Sequence, residues 1–159
     1  IPYKRTESGI KAFGEGPVVG EGVVYDNSII DITAVSMGNP HCVIFCDKDA
    51  DLDKMDISHI GPFFLLLPHF PKKTNVEFIK VTDRNNIEMR VYERGTGETL
   101  ACGTGCCASV VAGVLNGYTD REVKVKVRGG ELLINWDEKK NTVFMTGPAT
   151  EVFSGIIDI

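Results

Sequence analysis

Two groups of residues in this chain are equipped for chemistry. The first is Ala101-Cys102-Gly103-Thr104-Gly105, which leads into an uncharged run from Cys106 to Asn116. A helix made from that run is apolar all round and has to be buried all round. Thr104 is the expected N-cap, and the flanking glycines let a ligand come close to the backbone. The first amides of a helix have no partner within it. Together with the helix dipole they form a seat for an anion such as a carboxylate. Cys102 stands just before that seat, where the positive helix end favours a thiolate and should lower the pKa. A thiolate beside a carboxylate seat is the equipment for removing a proton from the carbon next to a carboxylate. That proton is very weakly acidic. The charge that develops must be met by aimed dipoles, and the base must be tuned near the working pH.

By residue type alone, Cys102 reads as a small core residue at a tight turn. Its glycine-flanked place at a helix entrance argues for the chemical role instead. Cys106 and Cys107 fall inside the helix and read as small buried apolar residues. So do Cys42 and Cys46, which share a strand face with Ile44. A metal site can be drawn from Cys102, Cys106 and His41. The two close pairs typical of structural zinc are missing, so no metal is expected. Gly103 to Ala108 also fits a relaxed G-x-G-x-x-A fingerprint. The preceding Glu98-Thr99-Leu100 is not a buried apolar strand, and the strand after the helix alternates with lysines, which argues against a dinucleotide fold. No glycine-rich stretch ends in Gly-Lys-Ser/Thr, so that type of phosphate loop is absent.

The elements that must position these residues are mostly strands. Val18–Tyr25 and Ile29–Ser36 read as a pair joined around Asp26-Asn27, and His41–Cys46 as a short strand. Val76–Thr82 and Ile87–Tyr92 flank Asp83-Arg84-Asn85-Asn86, a hairpin turn. Ile87, Met89 and Val91 share one face, and Glu93 continues their parity. Val123, Val125 and Val127 alternate with Lys124, Lys126 and Arg128, the pattern of a half-buried antiparallel strand. Gly129-Gly130 turns into Leu132–Trp136, followed by strands over Thr142–Thr146 and Val152–Ile159. Asp51–Ile60 reads as an amphipathic helix with an acidic start, and Thr104–Asn116 as the central helix, stopped by Gly117. The expected fold class is α+β: a mostly antiparallel sheet wrapped around one buried central helix, in a single domain over residues 1–159.

Composition agrees with an ordinary globular domain, with 43% hydrophobic and 25% charged residues. The net charge of −5 and the lack of a basic cluster argue against nucleic acid as a partner. No apolar run is long enough to cross a bilayer. The longest, Phe63 to Leu67, stands between Pro62 and Pro68. Five cysteines without a secretory signal point to a reducing cytoplasm and free thiols. The chain begins Ile1-Pro2-Tyr3 with no initiator Met, which reads as a cut inside a longer protein.

Three blocks carry a resemblance to a known family. They are MGNPHCVIF from Met37, TNVEFIKV from Thr74, and ERGTGETLACGTG from Glu93, followed by the uncharged helix. In this order they closely resemble diaminopimelate epimerase, from about Asp31 to Gly117 and more weakly to the chain end. Proline racemases and phenazine-type isomerases share the architecture and match the NPH and ERGTGE segments less well. The resemblance implies an enzyme that interconverts LL- and meso-2,6-diaminopimelate without pyridoxal phosphate or other cofactor. One cysteine takes the α-proton as thiolate, and another supplies a proton to the opposite face.

By resemblance Cys102 is the catalytic cysteine of the C-terminal domain, with His41 and Glu93 supporting catalysis. Gly103 and Thr104 match positions whose backbone holds the reacting carboxylate. Asn39 and Asn75 match side chains that grip the distal amino-acid centre, and Glu93 and Arg94 match a substrate-binding pair. Taken singly these have plainer readings: a turn residue before Pro40, a loop end, a surface ion pair, a structural histidine. The family has a second, N-terminal domain that supplies the other cysteine, and no equivalent stands in this chain. A half with one of the two cysteines is expected to be inactive alone. The apolar segment from Val152 to Ile159 is expected to be disordered, folded back, or exchanged with a second copy in a homodimer. Two other readings stay open: another cofactor-independent amino-acid racemase of this fold, or a binding or assembly module that lost catalysis.

Overall fold

The computed structural model describes residues 16–157. Nine strands form one sheet: β1 (Glu21–Tyr25), β2 (Ser28–Ser36), β3 (Pro40–Phe45), β4 (Asn75–Asp83), β5 (Asn86–Glu93), β6 (Gly97–Thr99), β7 (Glu122–Val127), β8 (Gly130–Asp137) and β9 (Thr142–Thr146). They are ordered β1-β2-β3-β4-β5-β7-β8-β9, with β6 paired to β5. Among the described residues two helices accompany them, α1 (Ile57–Leu65) and α2 (Gly103–Leu115), and a 3₁₀ turn covers Leu52–Lys54. The expected α+β class is found.

Most pairings are antiparallel, as expected. Two are not: β3 runs parallel to β4, and β5 runs parallel to β7. The second corrects the purely antiparallel reading of Val123–Val127, which pairs parallel with β5 and antiparallel with β8. Its lysines alternate outward all the same, because only its valine face meets the core.

Helix α2 packs against β2, β3, β4, β7, β8 and β9, so strands from both ends of the sheet close around it. Gly105 to Gly113 are all buried. The central strands alternate between two cores. Val35, Val43, Ile79 and Ile87 face α2 together with the valines of β7. Ala34, Cys42, Ile44, Val76 and Phe78 face the other way, towards α1. Gly117 ends α2 with φ at +73°, which costs a glycine nothing and lets the chain reverse. The β1–β2 hairpin turns at Asp26 and Asn27, both left-handed, as a two-residue turn of this twist requires.

Three expectations need correction. The helix over Asp51–Ile60 is two elements. Asp51 caps the 3₁₀ turn and Asp56 caps α1, with Met55 extended between them. The buried Arg90 guanidinium donates to the Leu52 and Met55 carbonyls and fixes that break. Helix α1 then continues through Pro62 to Leu65. The proline gives up one bond, to the carbonyl of exposed Ser58, where water can replace it. Finally, the strand expected over Val152–Ile159 does not form among the described residues. Residues 151–157 have no regular structure, and Val152, Phe153, Ile156 and Ile157 are exposed. The segment follows β9, the sheet edge, and pairs with no strand among the described residues.

Ile87 is fully enclosed where β5 meets β7, facing the central helix. Ile87→Ala should therefore cost about 2–5 kcal/mol of stability, read from urea unfolding. A loss below 1 kcal/mol would mean that this seam is not tightly packed.

Candidate active site

The first turn of α2 and the ends of β3, β4 and β5 converge. The parallel register of β3 and β4 sets His41 opposite Asn75 and Val43 opposite Glu77. By parity His41 and Glu77 lie on the α2 side of the sheet, with Val43 and Ile79. His41 Nδ1 stands 2.6 Å from Glu77 Oε1, and both side chains are wholly buried. His41 Nε2 is 3.2 Å from Asn39 Oδ1. Asn39 Nδ2 donates to Thr104 Oγ1 at 3.2 Å, and Thr104 Oγ1 lies 3.6 Å from Cys102 Sγ. A continuous polar chain thus runs from a buried carboxylate to the sulfur.

Cys102 is the N-cap of α2, in extended conformation, and its carbonyl accepts the first intrahelical bond, from Cys106 N–H. This corrects the expectation that Thr104 is the cap. Thr104 lies in the first turn, and its hydroxyl joins Cys102 to Asn39 instead. The amides of Gly103 and Thr104 precede the first intrahelical bond, as an anion seat requires.

The thiol of Cys102 is not held down as expected. Burial raises its pKa above the ordinary value. Hydrogen bonds from the Thr104 side chain and the Gly105 backbone work against the rise, while the carboxylates of Glu77 and Glu93 add to it. The helix end is outweighed because the site brings two acidic groups and little water to the same sulfur. Cys106 is pushed up to about 12, mainly by burial, and Cys107 is raised for the same reason. Burial also raises Glu77, with His41 opposing it.

Gly105 shows how tightly this is built. A Cβ there would lie 2.8 Å from Glu77 Oε1 and 3.2 Å from Cys102 Cβ. The carboxylate therefore sits directly beneath the helix entrance, in space only a glycine leaves open.

Glu93 is half-buried, and its Oε1 accepts from Thr99 Oγ1 at 2.6 Å. The Thr99 hydroxyl thus gives this carboxylate a partner within the protein. Asn75 is buried, and its Oδ1 accepts from the backbone N–H of Arg94 at 3.1 Å. The Arg94 side chain is exposed. Among the described residues no three His, Cys, Asp or Glu side chains are grouped to hold a metal ion. A cavity of about 570 Å³, lined by residues including Tyr25, Cys46, Met55 and Phe64, lies away from these residues, on the α1 side.

Sequence reasoning missed Glu77. The signal was available: it is the lone charge in Val76-Glu77-Phe78-Ile79, a run that otherwise reads as buried on both faces. A carboxylate there needs a partner. Sequence reasoning also missed the part Gly105 plays.

The family model described as diaminopimelate epimerase matches residues 33–152. The chain belongs to the diaminopimelate epimerase family. The diaminopimelate epimerase of Heliobacterium modesticaldum is 52% identical over 141 residues, 89% of this chain and 49% of that protein. That of Pelotomaculum thermopropionicum is 56% identical over 144 residues, 89% of this chain and 50% of that protein. That of Methanococcus maripaludis strain C5 is 49% identical over 143 residues, 90% and 50% respectively. The chain thus spans about half the length of these members of the family. No helix among the described residues is long and apolar enough to cross a membrane.

Two measurements check the geometry. Iodoacetamide should modify Cys102 before Cys106, with a midpoint above that of free cysteine. Below the midpoint the rate should rise about tenfold per pH unit, because only thiolate reacts. Peptide mapping that found Cys106 modified first would contradict the arrangement. Gly105→Ala should displace the Glu77 carboxylate and cost about 1–3 kcal/mol, seen as a lowered melting temperature. An unchanged melting temperature would mean the carboxylate is not seated there.

Proposed function

We propose that this chain is the C-terminal half of a diaminopimelate epimerase. In this reading it interconverts LL- and meso-2,6-diaminopimelate, on the route to lysine and peptidoglycan, once joined by an N-terminal domain bearing the second cysteine. The observation that carries the reading is Cys102 at the cap of a buried helix, linked through Thr104, Asn39 and His41 to a buried carboxylate. Five free cysteines suit a reducing, cytoplasmic setting.

The roles follow from the chemistry. The α-carboxylate of the substrate sits at the helix entrance, where the amides of Gly103 and Thr104 meet its charge. Charge that builds on the α-carbon as its proton leaves spreads into that carboxylate, so the same dipoles stabilise the transition state. Cys102 faces one side of the α-carbon. As thiolate it takes the proton; as thiol it gives one, and the cysteine of the other domain does the converse. A thiol raised by burial and by Glu77 and Glu93 rests protonated near neutral pH. That state suits the donor, and the base direction requires the site to stabilise the thiolate. His41 reaches the sulfur through Asn39 and Thr104, and the Glu93 carboxylate bears on it by its charge. Asn39 and Asn75 hold the distal amino-acid centre, and Glu93 and Arg94 form a substrate-binding pair.

One half has one base. The chain by itself should show no α-proton exchange with deuterated solvent and no epimerisation of LL-diaminopimelate. Co-expression with the N-terminal half of the Heliobacterium relative should restore both, and Cys102→Ala should then abolish them, a loss of at least about 10³-fold. Epimerisation by the chain alone, or a stable complex of the two halves with no activity, would overturn the reading.

A further inference from the structure

Glu77 lies outside the roles assigned above, yet it is the most deeply buried charge near Cys102. Its Oε1 meets His41, while its Oε2 is buried with no hydrogen-bond partner among the described residues. The ionisable groups bearing on the Cys102 sulfur are Glu77 and Glu93 from the sheet, with Cys106 and Cys107 on the same helix. Those bearing on Glu77 are His41, Glu93, Cys42, Cys102 and Cys106.

Between Glu77 and the sulfur each link has one donor and one acceptor, so the chain can run in two directions. In the first, a proton is shared between Glu77 Oε1 and His41 Nδ1, and His41 Nε2–H donates to Asn39 Oδ1. Asn39 Nδ2–H then donates to Thr104 Oγ1, and the Thr104 hydroxyl donates to a Cys102 thiolate. The Asn39 amide is oriented in this sense, with Nδ2 towards Thr104. In the second, His41 Nδ1–H donates to an ionised Glu77 and Nε2 is bare. The Asn39 amide is turned over and donates to Nε2. The Thr104 hydroxyl donates to Asn39 Oδ1, and Cys102 S–H donates to Thr104 Oγ1. The proton count balances: the first arrangement has one more proton on the Glu77–His41 pair and one fewer on sulfur.

We propose that Glu77 is a positioning residue for Cys102: acting through His41, Asn39 and Thr104, it sets the direction of the hydrogen bond that reaches the sulfur. A proton held by the buried pair favours the thiolate, and its release favours the thiol. The use of this coupling rests on the function proposed above, because an epimerase needs the same sulfur as base in one direction and acid in the other. Burial sharpens the effect at the Glu77–His41 end, where a reversed link would leave two donors or two acceptors facing each other away from water, while the Asn39–Thr104 link lies at the exposed end.

The test reads this chain without substrate. Imidazole ¹⁵N shifts of His41 should change across the pH range in which Cys102 ionises. Blocking Cys102 with methyl methanethiosulfonate should abolish that change. Imidazole signals indifferent to the state of the sulfur would overturn the inference. Glu77→Gln should lower the Cys102 alkylation midpoint by about one pH unit, roughly a tenfold gain in rate below it. In an Asn39→Leu background, which cuts the chain, the same change should have roughly half the effect or less. An equal shift with and without Asn39 would mean that the carboxylate acts by its charge alone and would overturn the inference. The imidazole readout needs no substitution, so a poorly folding variant does not shield it. Lost epimerisation with the coupling intact would count against the proposed function and not against this inference.

Discussion

A helix with no charged residue must be covered on every side, and that requirement organises this protein. Water around α2 would face valine, alanine and cysteine on all its turns, so the sheet has to close around it. Closure brings β2, β3 and β4 to one flank and β7, β8 and β9 to the other. The strands on the first flank are then buried on both faces, because α1 covers their outer side. Without that double burial, the polar groups at the helix entrance would be solvated surface residues and would have no unusual chemistry.

The second constraint follows from the first. Once β4 lies between two apolar layers, Glu77 cannot reach water, and an unpaired carboxylate there would be very costly. The parallel register of β3 and β4 supplies His41 as its partner. Such a pair contributes little net stability, because desolvation offsets attraction. Its value is positional. It fixes an imidazole whose other nitrogen is committed to Asn39, and through Asn39 and Thr104 it reaches Cys102. Gly105 is part of the same arrangement, since any side chain there would collide with the carboxylate.

Much of this was legible in the residues. Alternation gave nearly all the strands, and the charge-free run gave the buried helix and its stop at Gly117. The helix before Ile60 was misjudged because two aspartate caps five residues apart start separate elements, and the break between them is held by Arg90, which is distant in sequence. The tail was read as a strand from its apolar residues. A strand also needs a neighbour, and composition does not supply one. Cys102 and Thr104 are joined by hydrogen bonds to Asn39 and His41, far away in the chain. The acidity of the thiol was misjudged because a helix end is a local feature, while the burial and the carboxylates that oppose it come from β4 and β5.

What the sequence determined by itself is the set of periodicities, the helix that must be buried, and a glycine-flanked cysteine at its mouth. These are local properties, fixed by spacing along the chain. Tertiary structure alone decided that Glu77 sits beneath Gly105, that its charge is met by His41, and that the sulfur lies within reach of both carboxylates. Those depend on strand register and on the exclusion of water, which exist only after residues far apart in the chain have packed together.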